Sequence, residues 1–146
     1  MGACCSHPAR VEGNESLINE IKSVQPVNIL VGDTDPECSY KMNQMILNHF
    51  PMAVIHLETT GYDTVNAFCK QPYDAVFLEV FLPVMDGIEA CRIIRNMNSQ
   101  TRIYAMSNYL TDVVEGRLVA SGITDYTEKK TLDERKIRKW ISHSLI

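Results

Sequence analysis

Four polar residues close or interrupt short apolar runs. Asp33 follows Val27–Gly32 (VNILVG), and Glu79 sits late in Ala75–Val80 (AVFLEV). Ser107 follows Arg102–Met106, and Lys129 comes just after Thr124–Thr127. Two carboxylates, a hydroxyl and an ammonium can hold a cation, bind an oxyanion or pair with one another. A different chemistry is written at the N-terminus. Met1-Gly2-Ala3-Cys4-Cys5-Ser6 fits the N-myristoylation pattern, with Gly2 exposed once Met1 is removed. One myristoyl chain holds a membrane only marginally, with an association constant on the order of 10⁴ per molar. The leader has no polybasic patch, so a second acyl chain on Cys4 or Cys5 is the expected partner signal. A metal site there is disfavoured, because His7 and the two cysteines bring no fourth ligand at usual spacing. No Ser/His/Asp or Cys/His/Asp order suggests hydrolysis.

The elements that bring the four polar residues together follow from the apolar pattern. Residues 1–26 are mostly polar, with Pro8, Gly13 and Pro26 as breakers, and read as a leader. Within it, Leu17, Ile18 and Ile21 share one side of a turn or two of helix, too short to hold alone. It is expected to pack on the domain or to act as a spacer. Residues 27–146 form the domain, with short apolar strands alternating with helices. Strands are expected at Val27–Gly32, Ala53–Leu57, Ala75–Val80, Arg102–Met106 and Thr124–Thr127. The first helix opens at Asp35-Pro36-Glu37, a cap, an N1 proline and a first-turn acid, and buries Met42, Met45, Ile46 and His49. Asp63–Lys70 should bury Val65, Phe68 and Cys69. Asp86–Met97 should turn Ala90, Ile93, Ile94 and Met97 inward, and Leu110–Ala120 should do so with Leu110, Val113, Val114 and Leu118. Thr131-Leu132-Asp133-Glu134 reads as a capping box for a last helix burying Ile137, Trp140, Ile141 and Leu145.

Such alternation predicts an α/β fold, a doubly wound parallel sheet of five strands with helices on both faces. The functional crevice of that architecture lies beyond the carboxyl ends of the strands. Asp33, Glu79, Ser107 and Lys129 all fall there.

These residues resemble response-regulator receiver domains over Val27–Ile146. The most specific stretch is Leu78-Glu79-Val80-Phe81-Leu82-Pro83-Val84-Met85-Asp86-Gly87, where the family usually shows Asp-x-x-Leu/Met-Pro-x-Met-Asp-Gly. Ile29–Pro36, Met106-Ser107 and Gly122–Lys129 resemble the other signatures. The resemblance implies a flavodoxin-like sheet of order 2-1-3-4-5. In that family an aspartate takes a phosphoryl group from a histidine kinase, and acids hold Mg²⁺ beside it. By this likeness Asp33 is the first acid, Ser107 the hydroxyl, Lys129 the lysine and Tyr126 the switching aromatic.

Three departures stand out. Glu79 replaces the acceptor, Thr34 replaces the second acid, and Lys130 replaces the proline that usually follows the lysine. The extra methylene carries the carboxylate about 1 Å further into the pocket. No cofactor is expected, and Mg²⁺ should bind weakly or not at all through Asp33 and Glu79. Asp35 is expected to be engaged in capping. The chain therefore reads as a pseudo-receiver, a non-enzymatic signalling or adaptor module in which Glu79 can pair permanently with Lys129. A working phosphoreceiver using Glu79 or Asp86 is the alternative. A flavin binder on the same topology would need a glycine-rich phosphate loop where Asp33-Thr34-Asp35-Pro36 is acidic.

With no output domain in the sequence, partners are expected to be proteins, met by the fourth helix, fifth strand and fifth helix, including Asp112–Arg117 and Tyr126. The net charge of −4 and scattered basic residues leave no footprint for nucleic acid. Five cysteines without a CxxC pair suit a reduced compartment, with Cys38, Cys69 and Cys91 as small packed hydrophobes. The expected location is the cytoplasmic side of a membrane in a eukaryotic cell, lipid-anchored and not spanning.

Overall fold

Parallel strands and crossover helices account for nearly all of the computed structural model, which describes residues 16–17 and 26–145. The lipidation positions Gly2, Cys4 and Cys5 lie outside the described residues, as does most of the leader's apolar stripe. In order, the elements are β1 (Val27–Gly32), α1 (Pro36–His49), β2 (Ala53–Glu58), α2 (Gly61–Lys70), β3 (Ala75–Glu79), α3 (Gly87–Met97), β4 (Arg102–Ser107), α4 (Asp112–Ser121), β5 (Asp125–Glu128), a 3₁₀ turn (Lys129–Thr131) and α5 (Glu134–Ser144). The sheet runs β2-β1-β3-β4-β5, all parallel, as the sequence led us to expect. β1 and β3 lie inside it and are apolar on both faces, which a sheet covered on both sides requires.

Two layers of side chains hold the helices to the sheet. On one face Val27, Ile29, Val31, Phe77, Tyr104 and Met106 meet Met42 and Ile46 of α1 and Ile137, Trp140 and Ile141 of α5. Tyr104 stacks on Trp140 with ring centroids 4.5 Å apart, and its hydroxyl donates to the Trp140 carbonyl at 2.9 Å. On the other face Leu30, Val76, Leu78 and Ile103 meet Ala67 of α2 and Ala90, Cys91 and Ile94 of α3.

Each of the helices α1 to α5 begins on a side-chain cap, and each cap stands at the carboxyl edge of the sheet or just after the 3₁₀ turn. Asp35, Thr60, Asp86, Thr111 and Asp133 accept the N–H groups of Glu37, Asp63, Glu89, Val114 and Lys136. Asp35 is thus engaged as a cap, as expected. The capping box at Thr131 does not form. Thr131 ends the 3₁₀ turn, and its hydroxyl donates to the Glu128 carbonyl, so Asp133 caps α5. Glu134 turns instead to α1, accepting from Asn48 at 3.0 Å and meeting His49 Nε2 at 2.9 Å.

Three residues expected inside stand outside. Cys69 and Met97 end α2 and α3 where these helices overhang the amino edge of the sheet, and Val113 faces solvent on α4. α4 packs through a narrow strip of Leu118, Ser121 and half-buried Val114, which leaves Val113 and Val119 exposed.

Two glycines let the carboxyl-edge loops close over the sheet. A Cβ on Gly87 would stand 2.1 Å from the Glu79 carbonyl oxygen, and one on Gly61 1.8 Å from that of Met85. Between them, the Met85 N–H donates to the Pro83 carbonyl at 2.7 Å, a γ-turn whose centre, Val84, has φ 69°. Val84 is β-branched and 83% exposed, an uncommon residue for that conformation.

Candidate functional site

At the carboxyl edge, β1, β3 and the turn after β5 bring Asp33, Thr34, Glu79 and Lys129 into contact. Asp33 is 1% exposed, and Lys129 keeps 9% of its side chain accessible. The Lys129 ammonium donates to Asp33 Oδ1 at 3.1 Å and lies 3.5 Å from Glu79 Oε1. The sequence suggested Glu79 as its main partner; Asp33 is the nearer one. Glu79 Oε1 also accepts two bonds from Thr34, from the N–H at 3.0 Å and from the hydroxyl at 3.0 Å. Thr34, expected to be a loss at an acid position, has become a donor that clasps the glutamate. That partnership was missed in the sequence, although a longer carboxylate opposite a short hydroxyl was a signal for it.

The remaining expected residues stand apart from this cluster. Ser107 is fully buried at the end of β4, but its hydroxyl donates to the Tyr109 carbonyl at 2.7 Å. It closes its own loop. Tyr126 sits on β5 with its hydroxyl donating to Glu115 of α4 at 3.0 Å. Asp86 caps α3 and lies 3.6 Å from Arg117, committing its carboxylate to structure. Lys130 points outward toward Glu128 at 3.4 Å, and no cis peptide occurs among the described residues.

Electrostatics follow from burial. Two acids and one ammonium leave the cluster one negative charge in excess when all are ionised. Burial, then the adjacent Asp33 carboxyl, pushes Glu79 above the usual carboxylate range, while the Thr34 N–H and Lys129 pull the other way. Burial works to lower Lys129, but the Asp33 hydrogen bond and the surrounding negative charge prevail and raise it. Cys38 of α1 is a further neighbour that sequence reasoning treated only as packing. Its thiol is pushed up to about 12, by burial first and the Asp33 charge second.

Donor capacity for a cation is limited. Glu79 Oε1 already has three contacts, and Asp33 Oδ1 accepts from Lys129 and from the Asp35 N–H at 2.8 Å. Within the cluster Asp33 Oδ2 is buried without a hydrogen-bond partner, and the Glu79 contacts leave its Oε2 open. Among the described residues no group of three or more His, Cys, Asp or Glu is placed to hold a metal ion. No described helix is long and apolar enough to cross a membrane.

Comparison with known proteins places this arrangement. The response regulator receiver domain family matches residues 29–142. The signal transduction histidine-protein kinase BarA of Escherichia coli is 28% identical over 83 residues, covering 56% of this chain and 9% of the kinase. The sensor histidine kinase GacS of Pseudomonas protegens is 27% identical over 146 residues, covering 94% of this chain and 15% of that kinase. The chain therefore spans only a small part of these relatives. Among solved structures, the receiver domain of sensor histidine kinase PA1611 from Pseudomonas aeruginosa has magnesium coordinated in its active site cleft. It superposes with a TM-score of 0.70 at 23% identity, covering 81% of this chain and 99% of that one. The chain belongs to the response regulator receiver domain family.

Proposed function

We propose that this receiver is a pseudo-receiver, a signalling or adaptor module that works through protein contacts without accepting a phosphoryl group. The carrying observation is that Glu79, at the acceptor position, is already clasped by Thr34 and paired with Lys129. The polar contacts of Glu79 fall on Oε1, so in-line attack would have to come from Oε2 of a carboxylate pinned in place, and the lysine that would bind the phosphoryl group is held by two acids. The added methylene shifts the reacting oxygen by about 1 Å, and a misplacement of that size costs roughly a hundredfold in rate. With two carboxylate oxygens of the cluster uncommitted, Asp33 Oδ2 and Glu79 Oε2, and the lysine ammonium beside them, Mg²⁺ binding is weak or absent, because the ion demands near-octahedral geometry.

Partners are proteins, and the face built from α4, β5 and α5 is the proposed docking surface by family analogy. It presents Tyr126 and Asp112–Arg117, the exposed Val113 among them. Acylation of Gly2 with Cys4 or Cys5 would hold the module on the cytoplasmic side of a eukaryotic membrane; the motif and the two-chain requirement support this. A working phosphoreceiver is the second reading, favoured by the uncommitted Asp33 Oδ2.

Intact mass after incubation with Mg²⁺ and acetyl phosphate tests the proposal. Wild type should gain no phosphoryl mass, and a Thr34→Asp, Glu79→Asp variant should gain one. A gain in wild type refutes it. No gain in either refutes the claim that these two positions disable the site.

A further inference from the structure

The leader joins the domain at the amino edge of the sheet, opposite the ion cluster. There the Asn28 N–H donates to Asp74 Oδ2 at 2.8 Å, and the Asp74 N–H donates to the Asn28 carbonyl at 2.7 Å. Tyr73, the next residue back, is a wall of an open hollow of about 460 Å³. Phe68, Cys69, Pro72 and Met97 supply its apolar lining, and Lys70, Gln71, Asn98 and Thr101 its polar lining. Phe68 stacks on Tyr73 with ring centroids 6.4 Å apart, and Cys69 Sγ lies 3.6 Å from Met97 Sδ. The ends of α2 and α3 thus leave apolar and sulfur atoms in water beside the point where the leader arrives.

The leader carries what such a hollow lacks. Leu17, Ile18 and Ile21 recur at i, i+1 and i+4, one stripe of a helical turn. Ser16 and Leu17 are helical, and Leu17 is half exposed. Two turns of helix do not persist unaided in water, so this stripe needs an apolar surface to lie on. Residues 22–26, extended, reach roughly 16 Å, enough to turn the stripe from Val27 toward a wall one residue away from Asp74. Glu20, three residues from Leu17 and flanking the stripe, is suited to Lys70. A tether this short gives the segment an effective concentration on the order of millimolar at the hollow.

We infer that the hollow is the seat of the leader's own Leu17–Ile21 stripe, docked within the same chain. The docked leader fixes where the N-terminal tail leaves the domain and covers the sulfur atoms of Cys69 and Met97. Because the seat is remote from Glu79, the inference holds whether or not the receiver site is phosphorylated.

Cys69 is the built-in reporter. The full chain is pulsed with N-ethylmaleimide and mapped by peptide mass, beside a Leu17→Asp, Ile21→Asp variant and a Pro72→Glu variant. Cys69 should label at least tenfold more slowly in wild type than in either variant, while buried Cys91 stays unlabelled in all three as the check on folding. Equal Cys69 rates within twofold overturn the inference. So does protection that grows with protein concentration, which would make the occupant a second copy.

Discussion

Removing the Lys129 ammonium while keeping its stem, as in Lys129→Met, isolates what one cation does for two buried acids. At 3.1 and 3.5 Å each attraction is about 5 kcal/mol at an effective dielectric near 20, before the cost of stripping water from the ammonium. Loss of one partner of a buried pair typically costs about 3–5 kcal/mol, because the charge left behind is uncompensated. Some of that is recovered here by protonating Glu79, whose pKa is already raised. The expected loss at pH 7 is therefore about 3 kcal/mol, read from urea unfolding followed by Trp140 fluorescence.

The pH dependence carries the sign. A raised carboxylate gives stability that is full below its unfolded pKa and lost as pH rises through its folded pKa. The penalty of Lys129→Met should therefore shrink as the buffer is taken down toward the ordinary carboxylate range. In wild type, the raised lysine gives stability that is full below the ordinary lysine value and lost as pH climbs through the raised one. An Asp33→Asn, Glu79→Gln, Lys129→Met triple variant should unfold within about 1 kcal/mol of wild type or above it, since apolar or neutral replacement of a buried charge set is often harmless. A single variant within about 0.5 kcal/mol of wild type at pH 7 would refute the view that the ammonium holds this cluster together.

Two further perturbations address the loops over the site. Gly87→Ala must push a methyl against the Glu79 carbonyl, which is backbone and cannot step aside. It should lower stability by about 2–3 kcal/mol in chemical unfolding; an unchanged midpoint would show that the β3–α3 turn yields. Val84→Gly relieves a left-handed β-branched residue, worth about 1–2 kcal/mol, and adds glycine's entropy, about 0.5–1 kcal/mol. A net gain of about 0.5–1 kcal/mol and a rise of about 2 °C in Tm are expected by calorimetry; a fall in Tm would mean that the Val84 side chain does more than its exposure suggests.

The alternation of apolar runs was enough to read a five-stranded parallel sheet, because element type follows local pattern and crossover handedness limits the topologies. The 2-1-3-4-5 order came from the receiver resemblance. Of the helix starts, the Asp35 cap formed as expected, while no helix starts at Leu110 and no capping box forms at Thr131. Inward faces were read less well wherever a helix outruns the sheet. Periodicity marks Cys69, Met97 and Val113 as one-sided but is silent on whether a strand lies beneath them. The four site positions were legible as an edge, not as contacts. That Thr34 clasps Glu79, that Lys129 prefers Asp33, and that Ser107 turns back to Tyr109 depend on rotamers set by loops, which no one-dimensional pattern encodes. The close approaches at Gly61 and Gly87 are of the same kind.

Because all five strands run the same way, the domain has a bottom and a top. The leader attaches below and the ion cluster sits above, separated by a strand of six residues, roughly 20 Å. A surface that holds the N-terminus would see only the underside, and a visitor to the upper rim would come from the opposite direction without competing for room. Lengthening the leader would then let the module wander further, on the order of 5–6 Å times the square root of the residue number. Its facing would stay the same.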